Sequence, residues 1–182
     1  GRSSCMCFRP SRRAFKVVFA AHRLGVPYEM VFVNFATGAT QTPAYGELNP
    51  NRRMPVLEDG GYKLWESNVI VQYLAASKPE SGYLPADLKE RMTAVKWQFW
   101  ESAHWDPAAA IFMFESVVKK LFNRGPADEA EIKRGTERMA RLGPVRAGQR
   151  ATASSAHGDR MPAACPPSRR GPSRAARRGA QP

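Results

Sequence analysis

The chain has 182 residues, 43% of them apolar and 24% charged, and a formal net charge of +12, enough for one ordinary domain or two small ones around a real core. No run of about 18 apolar residues occurs, which excludes a helix that crosses a membrane. Three cysteines, Cys5, Cys7 and Cys165, give neither a disulfide framework nor the spacing of a zinc site. The N-terminus does not read as a signal peptide, because Val17 to Ala21 is amphipathic helix material flanked by Arg12, Arg13, Lys16 and Arg23; a reducing cytoplasm is the expected setting.

In chain order, Cys5 to Phe8 predicts a short strand ended by Pro10. Ser11 precedes a helix from Arg12 to Leu24, where Phe15, Val18, Phe19 and Ala21 recur at helical spacing and Gly25 supplies the stop. Glu29 to Phe35 predicts a second strand, its Met30-Val31-Phe32-Val33 run buried. Pro43 to Glu47 predicts a single helical turn. Pro55 to Glu58 and Tyr62 to Trp65 predict a hairpin about Asp59-Gly60-Gly61, after which Ser67 is placed to cap a helix from Asn68 to Ala76.

This β-α-β then β-β-α order, in under about eighty residues, predicts a small α/β unit with helices packed on a mixed sheet. Residues 78–86, with two prolines and a glycine, read as a linker. Asp87-Leu88-Lys89-Glu90 has capping-box spacing and opens a long helix striped by Val95, Trp97, Trp100, Ile111, Phe114 and Val118, with a kink expected at Pro107. Asp128 and Glu131 repeat the capping spacing, and that helix is expected to stop near Leu142, before Gly143-Pro144.

Residues 145–182 differ in kind. They hold eight arginines, no lysine and one acid, against 20 basic and 15 acidic residues in 1–144, and after Leu142 there is no Leu, Ile, Phe, Trp or Tyr. Such text cannot bury enough apolar surface to offset chain entropy, and a disordered basic tail is expected. It reads either as an arm for nucleic acid or anionic membrane, or as GC-rich coding sequence translated out of frame.

The motifs carry a resemblance. Pro10-Ser11-Arg12-Arg13-Ala14-Phe15-Lys16-Val17, Leu24-Gly25-Val26-Pro27-Tyr28-Glu29, Leu48-Asn49-Pro50 with Met54-Pro55-Val56-Leu57, and Glu66-Ser67-Asn68-Val69-Ile70 with Tyr73-Leu74 follow one another in fixed order. From about Met6 to Met139 the chain resembles bacterial glutathione transferases. Phe99-Trp100-Glu101 with His104-Trp105-Asp106-Pro107, and Phe114-Glu115 with Lys119, extend the likeness more loosely, and it fades beyond Arg141. The [ST]-x-x-D capping motif of the family's helical domain is absent from the sequence.

The resemblance implies a thioredoxin-like glutathione-binding domain over 1–77, a linker over 78–86, an incomplete all-α domain over 87–144 and the tail over 145–182. It also implies glutathione as co-substrate, a small hydrophobic electrophile as second substrate, a homodimer, a role in detoxification, and neither a metal nor a membrane; nucleic acid is not expected as a partner.

Glutathione's thiol resembles free cysteine, with a pKa of about 8.5. Lowering that by about two units takes roughly 2.7 kcal/mol of preference for the thiolate. A hydroxyl donor to an anion contributes about 1.5–3 kcal/mol and a helix N-terminus about 0.3–1. The resemblance gives Ser11 this catalytic part, beside the plainer reading of Ser11 as a helix cap. Cys7 is the rival thiol-handling residue, set against a reading as a buried, inert thiol.

By the same resemblance Met54-Pro55 is a cis-proline step whose free backbone groups pair with the cysteinyl part of glutathione. Glu66 takes the γ-glutamyl ammonium, and Ser67 with its backbone N–H takes the carboxylate. Arg52 and Arg53 are candidate contacts for the glycyl carboxylate. The aromatic group Trp97, Trp100, Trp105, Phe112 and Phe114 is expected to be core, and His22 and His104 receive no role. The alternative to a working transferase is a catalytically impaired binding or interaction protein of the same family, or a truncated remnant.

Overall fold

The computed structural model describes residues 3–7 and 11–156, leaving aside the side chains of 3–7, 35 and 146–156. These residues fall into two compact units, one ending at Met113 and one beginning at Phe114. The first unit opens with β1 (Ser3–Cys7), α1 (Arg12–Arg23) and β2 (Tyr28–Phe32). Two short 3-10 turns lead to α2 (Pro43–Leu48), β3 (Val56–Asp59), β4 (Tyr62–Trp65) and α3 (Ser67–Ala76). Then α4 (Leu88–Trp100) passes through a π turn (Glu101–Trp105) into α5 (Asp106–Met113).

The four strands form one mixed sheet in the order β2-β1-β3-β4. β1 runs parallel to β2, with Cys5 opposite Met30, and antiparallel to β3, with Cys5 opposite Leu57. β3 and β4 close the hairpin from Asp59–Tyr62 to Val56–Trp65. Its two-residue loop, Gly60-Gly61, takes φ of 56° and 88°, the left-handed pair that matches the twist of the flanking strands and that glycine adopts without a Cβ clash.

The core lies where α1 and α3 cover the sheet: Ala14, Val17 and Ala21 from α1, Leu57 from β3, Ile70 and Leu74 from α3, all at most 3% exposed. The apolar positions i, i+3 and i+7 of α1 and i, i+4 of α3 thus face one another across Leu57. At about 1.5–3 kcal/mol for each large side chain, this cluster is the main apolar contribution within the unit.

Several expectations need correction. The Met30-Val31-Phe32 run is not buried: these residues are 44%, 36% and 58% exposed, because β2 is the edge strand of the sheet. Ser67 does not cap α3 but is its first helical residue; Glu66 holds the cap position with φ 70° and ψ 111° and makes no side-chain cap bond. Turning from β4 into α3 within one residue leaves no room for a longer cap.

Pro107, where a kink was expected, follows a π turn in which the Asp106 N–H reaches Glu101 O, a wider turn that accommodates a residue without an N–H and with a ring that crowds the preceding carbonyls. The aromatic stripe of α4 is not core either. Trp97, Trp100 and Trp105 are half-buried, with ring centres 5.3 Å (Trp97–Trp100) and 6.1 Å (Trp100–Trp105) apart, and no residue of α4 is buried.

The second unit starts with a π turn (Phe114–Val118), a single turn α6 (Lys119–Leu121) and α7 (Glu129–Ala156). α7 continues past Gly143-Pro144, where a stop was expected; proline removes one N–H donor, and although Gly143 and Val145 flank it directly, Ala140, Arg141 and Leu142 before them and Arg146 and Ala147 after them are strong helix formers. Residues 145–156 of the expected disordered tail are therefore helical, and 157–182 lie outside the described residues. Glu115, 4% exposed, fixes this unit locally: it accepts from the Asp128 N–H at 2.6 Å and pairs with Lys119 Nζ at 2.5 Å.

Two outcomes follow from this packing. Ile70→Ala, at a site 0% exposed, is expected to cost about 2–5 kcal/mol in urea unfolding, whereas Val69→Ala, at 46% exposed, should stay within about 0.5 kcal/mol. The hydrogen bond from Asp128 N–H, then that from Lys119, lowers the Glu115 pKa below its ordinary 4.5. Its stabilisation is therefore complete above about pH 4.5 and is lost as the pH falls through the lowered folded value. Acid titration followed by the helical circular dichroism of wild type and Glu115→Gln should show the wild-type advantage shrinking in that window; an advantage independent of pH would contradict it.

Candidate functional site

The loop that precedes β3 is built around Asn49, which is 3% exposed. Its Nδ2 donates to Arg53 O at 2.8 Å and its Oδ1 accepts from the Asn51 N–H at 2.9 Å. Its backbone carbonyl accepts from the Arg52 N–H at 2.8 Å, and the Tyr45 hydroxyl adds a second bond to Arg53 O at 3.1 Å. One buried amide thus sets the curvature of 49–53 and the direction in which the chain enters Met54-Pro55, whose peptide bond is cis.

The two arginines of this loop have different fates. Arg52, at φ 54°, turns its guanidinium back to the carbonyls of Gln41 and Thr42. A Cβ at Gly46 would lie 3.3 Å from Arg52 Nη2, so the absence of a side chain there admits the arginine. Arg52 is a loop tie, whereas Arg53 is exposed and lines a cavity.

That cavity, of about 430 Å3, is lined by Arg13, Asn49, Asn51, Arg53, Met54, Pro55, Glu66, Ser67 and Ser102. All five residues expected to hold glutathione, Arg53, Met54, Pro55, Glu66 and Ser67, are thus gathered around one space. Glu66 is exposed with its backbone in the left-handed region, a conformation that costs a non-glycine residue on the order of 1–3 kcal/mol and that clusters at functional sites. It directs the first turn of α3 at the cavity. Ser67, 5% exposed, carries one of the N–H groups left without a partner at a helix start, and the positive end of the helix adds to its affinity for an anion.

Ser11 is not among the cavity-lining residues. It is the N-cap of α1, with φ −73° and ψ 119°, and its Oγ accepts from the Ala14 N–H at 3.3 Å. The cap uses a lone pair and leaves the O–H available as a donor. The plain reading of Ser11 as a cap therefore holds and is compatible with a second use of the hydroxyl. The sulfur of Cys7, its rival, lies outside the described side chains.

Four lining residues escaped the sequence reading of the site: Arg13, Asn49, Asn51 and Ser102. Asn49 belonged to a recognised motif, but nothing in its spacing separates a loop organiser from a turn former. Arg13 and Ser102 come together only through tertiary structure. Arg13 Nε and Nη2 donate to Asp106 Oδ2 at 3.0 and 2.5 Å, Arg12 Nη2 lies 3.1 Å from Asp106 Oδ1, and Ser102 is one turn before Asp106. A second clasp follows one turn along α1, where Lys16 Nζ donates to Asn68 Oδ1 at 2.6 Å and to Glu101 Oε2 at 2.8 Å.

Among the described residues no group of three or more His, Cys, Asp or Glu side chains could hold a metal ion, and no helix is long and apolar enough to cross a membrane.

A family model for the glutathione S-transferase N-terminal domain matches residues 7–76. A probable glutathione S-transferase of Oryza sativa subsp. japonica is 27% identical over 127 residues, covering 70% of this chain and 59% of the rice protein. Glutathione S-transferase 3 of Zea mays is 31% identical over 137 residues, covering 72% and 60%. The chain thus spans about three-fifths of the length of these relatives. They are plant proteins, so the narrower bacterial assignment expected from the motifs is not supported. Among solved structures, the theta class glutathione S-transferase of the citrus canker pathogen Xanthomonas axonopodis pv. citri, with glutathione bound, superposes with a TM-score of 0.71 at 31% identity, covering 80% of this chain and 69% of that one. A thioredoxin-like sheet with its cis-proline, followed by helices, and these relatives agree: the chain belongs to the glutathione S-transferase family.

Proposed function

We propose that this chain binds glutathione in the cavity between the Asn49–Pro55 loop and the start of α3, and that Ser11 activates the bound thiol for conjugation to a small hydrophobic electrophile. The observation that carries the reading is that Arg53, Met54, Pro55, Glu66 and Ser67 line one space, and a glutathione-bound relative at 31% identity supports it.

Each group has a chemical part. Met54, next to the cis peptide bond, offers its backbone N–H and C=O to the cysteinyl residue. Glu66 pairs with the γ-glutamyl ammonium, Ser67 Oγ and N–H hold the adjacent carboxylate, and Arg53 takes the glycyl carboxylate. The Ser11 O–H donates to the thiolate at the positive end of α1, and the two effects together reach the roughly 2.7 kcal/mol that a two-unit drop in thiol pKa requires.

The proposal treats 1–77 as the glutathione-binding domain, 78–86 as a linker and 87–144 as part of a helical domain that contributes to the electrophile site. A cytoplasmic homodimer acting in detoxification is the setting that fits these parts. A second reading, a binding protein without turnover, is favoured by one observation: Ser11 does not line the cavity that Arg53, Met54, Pro55, Glu66 and Ser67 surround.

Retention on glutathione-agarose together with turnover of a chromogenic aryl halide is expected for the first reading; retention without turnover selects the second, and no retention overturns both. Ser11→Ala should lower kcat about ten- to hundredfold at neutral pH. It should also move the rising limb of the pH–rate profile to higher pH, because the thiol then ionises nearer its free value. An unshifted profile in a folded variant would remove Ser11 from the mechanism.

A further inference from the structure

We propose that the outer face of the α1–α4 helix pair is a peripheral docking surface for an anionic lipid bilayer. A membrane was not expected as a partner, and none is crossed here, since among the described residues no helix is long and apolar enough to do so. The contact is one of adsorption, and it is independent of how glutathione is held.

α4 carries the first part of the surface. Leu88, Met92 and Phe99 are 48–71% exposed, and together with Val95 they recur at helical spacing, which places them on one side of the helix. At about 3.6 residues per turn, Lys89 and Lys96 flank this stripe on one side and Arg91 on the other, while Glu90, the only acid of α4, is opposite. On α1, Phe15 and Phe19 stand exposed one turn apart, with ring centres 6.1 Å apart. α1 contains no acid at all.

Three contacts lay the two helices side by side in opposite directions. Arg12 meets Asp106, Lys16 meets Glu101, and Phe19 and Arg23 share an apolar cavity of about 220 Å3 with Ala94 and Val95. Ascending α1 therefore means descending α4. Phe99 falls between the levels of Lys16 and Phe19, and the Val95 side of α4 adjoins Phe19. The exposed side chains are thus neighbours around one cavity mouth, and a contiguous apolar area of this kind marks an interaction site.

The charge on this face selects the occupant. The ion pairs among the described residues use Arg12, Arg13, Lys16, Lys78, Lys119 and Arg134, so Arg23, Lys89, Arg91 and Lys96 have no carboxylate partner among them. Arg23 Nε donates to the Tyr83 hydroxyl oxygen at 2.9 Å and Arg91 Nε to Pro85 O at 2.8 Å, which leaves the Nη groups of both to an external anion. A second copy of the chain would set these four cations against themselves. The other polar groups at the cavity are spent on neighbours: Gln72 Nε2 donates to Gln98 Oε1, and Lys16 Nζ to Asn68 and Glu101. What the face offers is apolar area ringed by positive charge, without a free directional pattern for a peptide to match. An anionic bilayer fits that chemistry, with phosphates for Lys and Arg and the acyl boundary for Phe and Leu.

Vesicle flotation of the full chain tests this with two compositions, phosphatidylcholine alone and an equimolar mixture of phosphatidylcholine and phosphatidylglycerol. The wild-type chain should partition at least about tenfold more strongly onto the mixed vesicles, and high salt should reduce the difference. Phe19→Ala combined with Phe99→Ala, both at exposed positions where substitutions are close to neutral for folding, should lower partitioning onto the mixed vesicles about tenfold. Lys89→Gln combined with Lys96→Gln should lower it by a similar factor and flatten its salt dependence. Adsorption through positive charge elsewhere in this basic chain would leave the phenylalanine pair without effect.

No preference of the wild type for the mixed vesicles overturns the proposal, as does unchanged partitioning of the phenylalanine variant with its circular dichroism intact. A lipid-free dimer in sedimentation that the same variant dissociates assigns the face to a second copy instead. Phenylalanine-dependent binding to polyglutamate as tight as to the mixed vesicles assigns it to an acidic polypeptide, and either result overturns the lipid assignment.

Discussion

Asp106 is a carboxylate 4% exposed, six residues beyond the end of α4, and the geometry of the first unit depends on what neutralises it. Burying an isolated charge is prohibitive, so the carboxylate must be paired or protonated. Two arginines from the first turn of α1 meet it, at 3.1 Å and 2.5 Å. Exchanging such a group for an apolar one can be neutral, but removing one partner typically costs about 3–5 kcal/mol because the other charge is stranded. The clasp therefore fixes α5 on α1 more by forbidding alternatives than by adding net stability. Lys16, reaching Asn68 and Glu101 one turn further on, extends the constraint to α3, so the helices that border the cavity are held in register by polar contacts at one end and by Val17, Ile70 and Leu74 at the other.

Much of the candidate site was legible in the sequence, and for physical reasons that can be named. Gly60-Gly61 can close a two-residue hairpin, and Leu48-Asn49-Pro50 followed by Met54-Pro55 signals a tight loop before a buried strand. These are local constraints, met within a few residues, and the structure has the hairpin and a cis bond at Met54-Pro55. The cis isomer itself came from resemblance alone, since most X–Pro bonds are trans.

What could not be read depends on partners distant in sequence. Arg13 and Asp106 are 93 residues apart, and each alone reads as a solvated charge. Met30-Val31-Phe32 looks like a buried strand because β propensity reports side-chain type, while burial depends on place in the sheet, and β2 is at its edge. Ser67 looks like a cap because Ser favours that position; that Glu66 takes the cap with φ 70° is a departure from local preference. Such departures are where sequence rules fail at functional sites, and this one turns the first N–H groups of α3 toward the cavity.

The two halves of the proposed site are therefore unequally determined here. Every lining residue of the candidate glutathione site, from Arg13 to Ser102, belongs to the first unit, and the loops and clasps that orient them close within it. Affinity for the thiol peptide needs only those contacts. An electrophile site has no comparable set of converging polar groups to announce it, because an apolar second substrate is selected by shape and apolar area. Large apolar side chains do stand exposed on the helices of this unit, Phe15 and Phe19 on α1, Leu88 and Phe99 on α4, at 59–71%, but none of them lines the candidate glutathione cavity. Glutathione recognition is thus argued from geometry, and choice of electrophile has to be argued from turnover.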